Sequence, residues 1–577
     1  MNGPSRQRPP LRRRVLQGMP RGWGSEVHPV LQRIYAARGV FEPQQVTHRL
    51  KHLLPPHTLG GLKHAVELLM LAIREDWSIL IAGDYDCDGA TGVAVAVRGL
   101  RMLGARHVDY VVPNRFMHGY GLSPALVASL EPAPRLLMTV DNGVSSVEGV
   151  AAARERGIRV IVTDHHLPGA QLPQCDAIVN PNLVGDPFPG KMLAGVGVMF
   201  YLLLGLRAGL RKSHDFAHGE PNLSSLLDLV ALGTIADLVP LDFNNRILVD
   251  AGLKRLRQGR ACAGMRALVE VSRCDPSSLC STDLAFSIGP RLNAAGRLED
   301  MRLGVECLLT EDARKAGYLA QQLDAINRER RALQADMVAE AEIMASMVVP
   351  SDAIGVALYE PTWHAGVVGL VASKLKERLH RPVVVFAPAS TKDNEHLRGS
   401  GRSITGFHLR DALAAIDTCH PGLIERFGGH AMAAGLSLKS ADYPRFAEAF
   451  DRIARERMTP ESLHAVVYSD GELHAGNFTL DLARQLRDGG PWGQAFPAPV
   501  FDNVFECVHW KVMGKQHLRL QLRDPRDGAL LPAVMFNAYR NLPPPTQMHA
   551  AYELVINQWQ GRESPRLLLR DMWSIAS

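Results

Sequence analysis

Between residues 60 and 180 the chain alternates short continuous runs of Val, Ile and Leu with stretches of helical spacing, and few folds accept that pattern. The apolar runs are Ser78–Ala82, Val108–Val112, Leu136–Val140 and Arg159–Val162; Thr91–Leu103 and Ser145–Arg156 are the clearest helices between them. A strand apolar on both sides must be covered on both faces, and helical crossovers provide that cover for parallel strands. The pattern therefore predicts a doubly covered parallel sheet, with further helices at Ser224–Leu238 and Leu248–Arg257. Met192–Leu206 is uncharged between Lys191 and Arg207 but shorter than the ~20 residues a membrane span needs, so it is expected as a buried helix.

A chain of 577 residues exceeds what one core can hold, and its texture changes along its length. Residues 1–55 are basic and proline-rich, a loose arm leading into a helical segment at His28–Arg38. Residues 56–310 hold the parallel-sheet domain. From 311 to 350 runs one long helical pattern, free of Gly and Pro between Tyr318 and Val349, of the kind that bridges domains. A second α/β domain is expected over 351–462, with strands Ile354–Leu358 and Val383–Phe386 and a helix at Val367–Leu379. Residues 463–577 read as β: Phe501–Met513, His517–Arg523, Leu531–Phe536, Tyr552–Trp559 and Leu567–Asp571 suit a small OB-like barrel, a fold often used to hold single strands. In such a barrel Phe501, Trp510, Phe536 and Trp559 are the candidates for stacking on bases. Net charge is only +5, so any nucleic-acid surface must be a local basic face. The eight cysteines form no C-x-x-C pair and no apolar run follows the N-terminal arginines, which points to a reducing, cytoplasmic setting without a secretory signal.

The chemistry gathers where apolar runs stop. Asp84, Asp86 and Asp88 follow the first run in IAGDYDCDGATG, with no Lys or Arg between Arg74 and Arg98. Read as an extended segment, the three carboxylates share one side and repel unless a cation intervenes; a solvated acidic turn is the plainer reading of this piece alone. Asp141 ends the third run, Asp164, His165 and His166 end the fourth, and Asp237 closes an apolar helix. In open parallel sheets ligands collect beyond the carboxyl ends of the strands, so these groups should meet at one edge. Carboxylate and imidazole donors without thiolates suit Mn²⁺ or Mg²⁺, one or two ions, and the reaction such sites serve is phosphodiester hydrolysis. Further on, Ser400 and Arg402 lie in RGSGRS, where Gly399 and Gly401 would let backbone and side chain approach a phosphate together; a flexible surface loop is the alternative. FGGHAMAAG reads as a tight turn into a packed helix.

The ordered series GDYDCDG, PNR with GYG, VDNG and TDHH resembles the DHH phosphoesterase superfamily. GPRLNAAGRL, WHAGVVGLVASKL, RGSGRS and FGGHAMAAG resemble its RecJ-type branch of single-stranded-DNA-specific 5′→3′ exonucleases, which carry DHH and DHHA1 domains and a C-terminal OB-like domain. The resemblance implies that Asp86, Asp88, Asp141, His165 and Asp237 hold metal, that Asp84 and Asp164 support them, and that His166 meets the scissile phosphate. It implies that Ser400 and Arg402, with Arg115, hold a 5′-terminal phosphate, and that Arg291 and His364 touch the DNA backbone. Related small phosphatases carry a His where this chain has Ala82, which implies a weaker first metal site. The activity implied is release of mononucleotides from single strands in DNA repair and recombination, with a helicase and a single-strand-binding protein as partners and no membrane. Two alternatives stand beside it: a phosphodiesterase or phosphatase of short oligonucleotides or cyclic dinucleotides, and a non-catalytic single-strand-binding partner.

Overall fold

The computed structural model describes residues 10–113, 121–216, 219–350, 352–390, 393–514, 516–539 and 542–575. The chain divides into two compact units, the larger made of Leu11–Gly296, Asp300–Asp324 and Val467–Ser577, the smaller of Ala325–Val466 with Arg297–Glu299.

The larger unit begins with β1 (Leu11–Arg13), α1 (Pro29–Ala36) and α2 (Leu62–Arg74). The expected alternation follows as β2 (Ile79–Ala82), α3 (Cys87–Met102), β3 (Val108–Val111), α4 (Pro124–Ala128), β4 (Leu136–Val140), α5 (Val147–Glu155), β5 (Arg159–Thr163), β6 (Ala177–Val179) and α6 (Gly195–Lys212). The five strands lie in the order β3-β2-β4-β5-β6, parallel throughout. Alternate residues of β4 enter opposite layers: Leu136, Met138 and Val140 pack with α2, α3 and α6, while Leu137 packs with Leu126, Val127 and Val150 of α4 and α5. That is why the strands read as continuous apolar runs. The uncharged Met192–Leu206 stretch lies within the loop and buried helix α6, and among the described residues no helix is long and apolar enough to cross a membrane.

Next come α7 (Leu227–Ala236), α8 (Phe243–Arg257), α9 (Ala263–Ser272), the single turn α10 (Ser281–Asp283), α11 (Gly289–Leu298), α12 (Arg302–Leu309) and α13 (Ala313–Val348). The last is the long helix expected from the sequence, 36 residues, passing from the larger unit into the smaller.

The smaller unit holds β7 (Val356–Tyr359), α14 (Val368–Leu379), β8 (Val383–Ser390), β9 (Asp393–Arg402), α15 (Leu409–Cys419), β10 (Arg426–Gly429), β11 (Ala433–Lys439) and α16 (Tyr443–Arg457), with its sheet ordered β10-β11-β9-β8-β7. FGGHAMAAG is therefore a β-hairpin and not a turn into a helix: β10 and β11 pair antiparallel, closed by His430 N–H donating to Ala433 O at 2.8 Å. Its Gly and Ala residues hide the alternation that betrays a strand.

Back in the larger unit, β12 (Val467–Ser469) and α17 (Leu480–Asp488) lead into β13 (Phe501–Met513), β14 (His517–Arg523), β15 (Leu530–Met535), β16 (Gln547–Trp559) and β17 (Arg562–Ser574), which close a barrel in the order β13-β14-β15-β17-β16. The N-terminal arm is not loose over Leu11–Arg13: β1 pairs in parallel with β12, Arg13 bonds the buried Asp502, and Arg38 beyond α1 bonds Asp470 through two N–H donors at 2.7 and 3.0 Å.

Candidate metal centre

Three strand ends and one helix end converge at the carboxyl edge of the parallel sheet. After β2, Gly83 and Asp84 lead into a loop whose next acid, Asp86, caps α3 by accepting from Gly89 N–H at 2.9 Å. The three acids do not lie along one extended segment, as the alternate spacing suggested. A side-chain cap at Asp86 starts the helix at Cys87, placing Asp88 in its first turn. The loop is seated by α11. Asn293 Oδ1 accepts from Cys87 N–H at 2.9 Å, and any Cβ at Gly296 would collide with Tyr85 O.

Asp141, directly after β4, has φ 62°, a left-handed conformation that Asp tolerates better than most residues. Its neighbour Asn142 ties the ends of β2 and β4 together, donating to Ala82 O and Val140 O at 3.1 and 2.9 Å. Asp88 accepts from Gly195 N–H at 2.7 Å and Val196 N–H at 3.0 Å, the opening amides of α6. A side chain at Gly195 would run into Asp141, and one at Gly233 of α7 would run into Asp88 and Thr91.

After β5, Asp164 accepts four hydrogen bonds: from Val144 N–H (2.9 Å), His165 N–H (2.7 Å), His166 N–H (3.1 Å) and the His166 ring Nδ1 (2.8 Å). Two asparagines beyond β6 hold the same loop from the other side, Asn180 Nδ2 on His166 O at 2.9 Å and Asn182 Nδ2 on His165 O at 2.5 Å. Sequence reasoning passed over Asn142, Asn180, Asn182 and Asn293. The available signal was the NPN tripeptide behind a fifth apolar run, AIV, too short to stand out as a strand.

These elements bring the donor atoms of Asp84, Asp86 and Asp141, of Asp141, His165 and His166, and of Asp88, His165 and Asp237 within 4.8 Å of one another in each trio. His165 Nε2 lies 3.0 Å from Asp141 Oδ1 and 3.5 Å from Asp237 Oδ2. Both oxygens are buried, and among the described residues neither accepts a hydrogen bond. Among the described residues no Lys or Arg pairs with Asp86, Asp88, Asp141 or Asp237. Burial first, then the mutual repulsion of the acids, pushes Asp141 and Asp237 well above the usual carboxylate range and Asp88 up to about 7. Burial alone would lower the His166 imidazole; the hydrogen bond to Asp164 and the charges of Asp164, Asp84 and Asp86 outweigh it and raise its pKa to about 9. Burial would raise Asp164, but the His166 hydrogen bond and charge and the Val144 amide hold it below its ordinary value. Aligned carboxylates that repel one another and bury oxygens without donors fit a divalent cation, and an all-oxygen-and-imidazole set fits Mn²⁺ or Mg²⁺.

The smaller unit holds a site of opposite charge. Arg402 Nη1 donates to Ser400 Oγ at 3.0 Å and to Gly401 O at 2.8 Å. Burial lowers the Arg402 guanidinium, and among the described residues no carboxylate pairs with it. Gly369, in the first turn of α14, leaves the room in which Ser400 Oγ and Arg402 Nη2 sit. Gly399 and Gly401 face away from that site: side chains there would strike Phe386 and Leu409 in the core, so these glycines serve packing and not approach to a phosphate. By strand register Arg398, Lys439 and Arg426 share the Ser400 face.

The remaining expected contacts separate. His364 lies half-buried in the smaller unit, its Nδ1 accepting from Gly366 N–H at 3.1 Å. Arg291 is not available to DNA: it is buried and bonds Asp324 through Nε and Nη2 (2.9 and 2.8 Å), with Ser287 O and Val271 O as further acceptors. Arg115 falls outside the described residues. Of the barrel aromatics Phe501 is core and Trp510 leans half-buried on Tyr539, which leaves Phe536 and Trp559 exposed.

Residues 78–234 match the DHH family N-terminal domain, 351–456 the DHHA1 domain and 469–571 the RecJ OB domain. The single-stranded-DNA-specific exonuclease RecJ of Dickeya dadantii is 49% identical over 556 residues, 95% of this chain and 96% of that one. The crystal structure of Thermus thermophilus RecJ with Mn²⁺ superposes with a TM-score of 0.80 at 31% identity, over 96% of this chain and 77% of that one. The same protein with Mg²⁺ gives 0.75 at 29%, over 96% and 76%. Sequence, domain order and fold agree, and the chain belongs to the RecJ family of the DHH superfamily.

Proposed function

We propose that this chain is a metal-dependent exonuclease that shortens single-stranded DNA from its 5′ end and releases mononucleotides, in DNA repair and recombination. One observation carries the assignment to these residues: Asp88, Asp141 and Asp237, all raised, crowd His165 with no Lys or Arg among the described residues to neutralise them. Asp86, Asp88, Asp141, His165 and Asp237 would hold one or two Mn²⁺ or Mg²⁺ ions. When bound, such ions supply Lewis acidity toward water and phosphate alike.

The chain's own groups do the rest. Asp164 engages Nδ1 of His166 and fixes the direction of the ring, whose Nε2–H donates to an oxygen of the scissile phosphate and steadies charge as it develops there. Asp84, braced by Tyr85 N–H at 2.8 Å, adds to the negative field that favours a proton on His166 in the metal-free protein. Ser400 and Arg402 receive the 5′-terminal phosphate: a guanidinium buried with no carboxylate partner among the described residues has its strongest partner in an anion from outside. His364 adds a backbone contact, and Arg398, Arg426 and Lys439 continue a basic face along the sheet. Arg291 has no part in this scheme. Exposed Phe536 and Trp559 suit stacking in the barrel. A helicase and a single-strand-binding protein are proposed as partners. Cytoplasmic residence is supported by eight free cysteines.

The test is digestion of end-labelled single-stranded and duplex DNA with Mn²⁺, Mg²⁺ or chelator, beside Asp141→Ala. Loss of the 5′ label from single strands alone, dependent on metal and absent in the variant, is the expected result. Full activity of Asp141→Ala would refute the site, and preference for a dinucleotide over a long strand would favour a small-substrate phosphodiesterase.

A further inference from the structure

Two leucines border the metal centre without joining the core. Leu238 follows Asp237 directly and is 67% exposed; Leu167 follows His166 directly and is 61% exposed. Asp237 Oδ2 and His165 Nε2 are 3.5 Å apart, so the two segments that carry these leucines meet at the metal centre and form part of its rim. That rim is fixed. Asn180 and Asn182 hold the carbonyls of His166 and His165, and Leu238 N–H bonds Ile235 O at 3.3 Å as α7 ends.

An exposed leucine is ordinary surface by itself. Leu238 is not ordinary, because its φ is 61°. It stands just past a helix end in the left-handed conformation where glycine is favoured and a Cβ crowds the following carbonyl. Of the nine non-glycine residues with positive φ among the described residues, it is the one large apolar side chain; the others are Asp, His, Arg, Ala, Asn and Gln. Glycine or asparagine would satisfy the backbone better, and a polar residue would satisfy the solvent better. Folding therefore gives no reason for a leucine here, and strain of this kind gathers where a ligand is met.

Resting on the nuclease reading above, we infer that Leu238, and to a lesser degree Leu167, packs its apolar side chain against the sugar edge and base of the nucleotide whose phosphate lies at the metal centre. The phosphate is polar and belongs to the acids and imidazoles. The apolar surface a DNA strand brings to this rim is the base face, and every base has one, so the contact favours bases over no base without choosing among the four.

The experiment compares single strands with a normal 5′ end against strands whose first three nucleotides are abasic, using wild type, Leu238→Gly, Leu238→Asn and Leu167→Ala. Wild type is expected to favour the base-bearing end about tenfold, the scale of one largely buried leucine side chain. Both Leu238 substitutions should bring that ratio down to about threefold or less, with the loss in KM more than in kcat, and Leu167→Ala should lower it less. Since both Leu238 replacements accept the backbone conformation, their melting temperatures should match or exceed wild type; lower ones would overturn the strain argument. An unchanged base-to-abasic ratio in the Leu238 variants would overturn the inference while leaving the nuclease intact. No digestion of either strand by wild type would overturn the nuclease reading and this inference with it.

Discussion

Asp502 and Asp141 are both carboxylates sealed from solvent, 0% and 2% exposed, and their surroundings treat them in opposite ways. Asp502 accepts from Arg13 Nε (3.2 Å) and Nη2 (2.7 Å), from Ser469 Oγ, and lies 3.0 Å from His549 Nε2. Burial would raise its carboxyl, but those bonds win and hold it below the usual range. Asp470 close by has Arg38 in the same service. Asp141 has acids for neighbours, so burial and the charge of Asp88 act in the same direction and raise it. A buried charge without a partner is among the costliest features a fold can keep. Where the chain needed structure it brought an arginine from its N-terminal arm; at the sheet edge none pairs with these acids among the described residues, and that difference distinguishes a site from a scaffold. Arg402 shows the converse, a cation enclosed without an acid.

The sharpest way to break this comparison is to neutralise one acid from each group. Asp237→Asn takes a charge from the set facing His165 and should cut metal-dependent hydrolysis of single strands by about 10³-fold, the several kcal/mol that a well-held ion contributes to such a reaction. Measured in chelator, the same variant should unfold later than wild type, by about 1.4 kcal/mol for each unit of pKa elevation removed. Asp470→Ala should do the reverse. It leaves Arg38, whose side chain is 2% exposed, without its partner. The expected cost in denaturant unfolding is about 3–5 kcal/mol, with kcat on the remaining folded protein nearly unchanged. Equal destabilisation by both substitutions would erase the distinction.

How much of this was open to sequence reading follows the same line. The cluster was legible because a doubly covered strand is a continuous apolar run, so its end is sharp and the polar residue next to it stands out: Asp141 after Val140, Asp164 after Thr163. What supports the cluster was not legible. Asn142, Asn180 and Asn182 act through backbone carbonyls brought near by the fold, and no spacing announces that. The helix start at Cys87 was missed because the Asp86 cap lies inside a run of acids that invites an extended reading. Glycines misled twice. In RGSGRS they pack against Phe386 and Leu409, and in FGGHAMAAG they build a hairpin, because a residue without a side chain carries no pattern to read. Arg291 has the type and the motif expected of a phosphate contact, and only its placement beside Asp324 removes it.

A smaller effect should appear with pH. A carboxyl whose folded pKa is raised takes up a proton on folding between its ordinary value and the raised one, so stability falls as pH rises through that window. For Asp88 the window runs from 3.8 to about 7, and Asp141 and Asp237 act in the same direction. The chelated protein should therefore gain stability on acidification from pH 7 toward 5, by about 1.4 kcal/mol per pH unit for each proton bound. Asp502 has the other sign: its depressed pKa gives stability that is present above the ordinary carboxylate value and lost as pH falls through the folded one. The gain should thus turn over below about pH 4. Saturating Mn²⁺ should flatten the rise between 5 and 7, because the ion then does what the protons did. A metal-free protein with no such rise would mean that burial and mutual repulsion do not raise these acids.

The mildest expected change is at Arg402. Arg402→Gln removes the charge and keeps a donor for Gly401 O, and no acid loses a partner. The smaller unit should then melt at the same temperature or slightly higher, unlike the outcome at Asp470. Function should change instead: KM for strands with a 5′-phosphate should rise about tenfold, the loss of one charge-assisted contact of roughly 1.4 kcal/mol, while strands with a 5′-hydroxyl should be nearly unaffected. A structural role for Arg402 would lower the melting temperature and raise KM for both strands alike, so the difference between the two ends is the quantity that decides. If it is absent, the guanidinium is enclosed for packing, and the contrast between charges that build the fold and charges that await a ligand would hold for the acids alone.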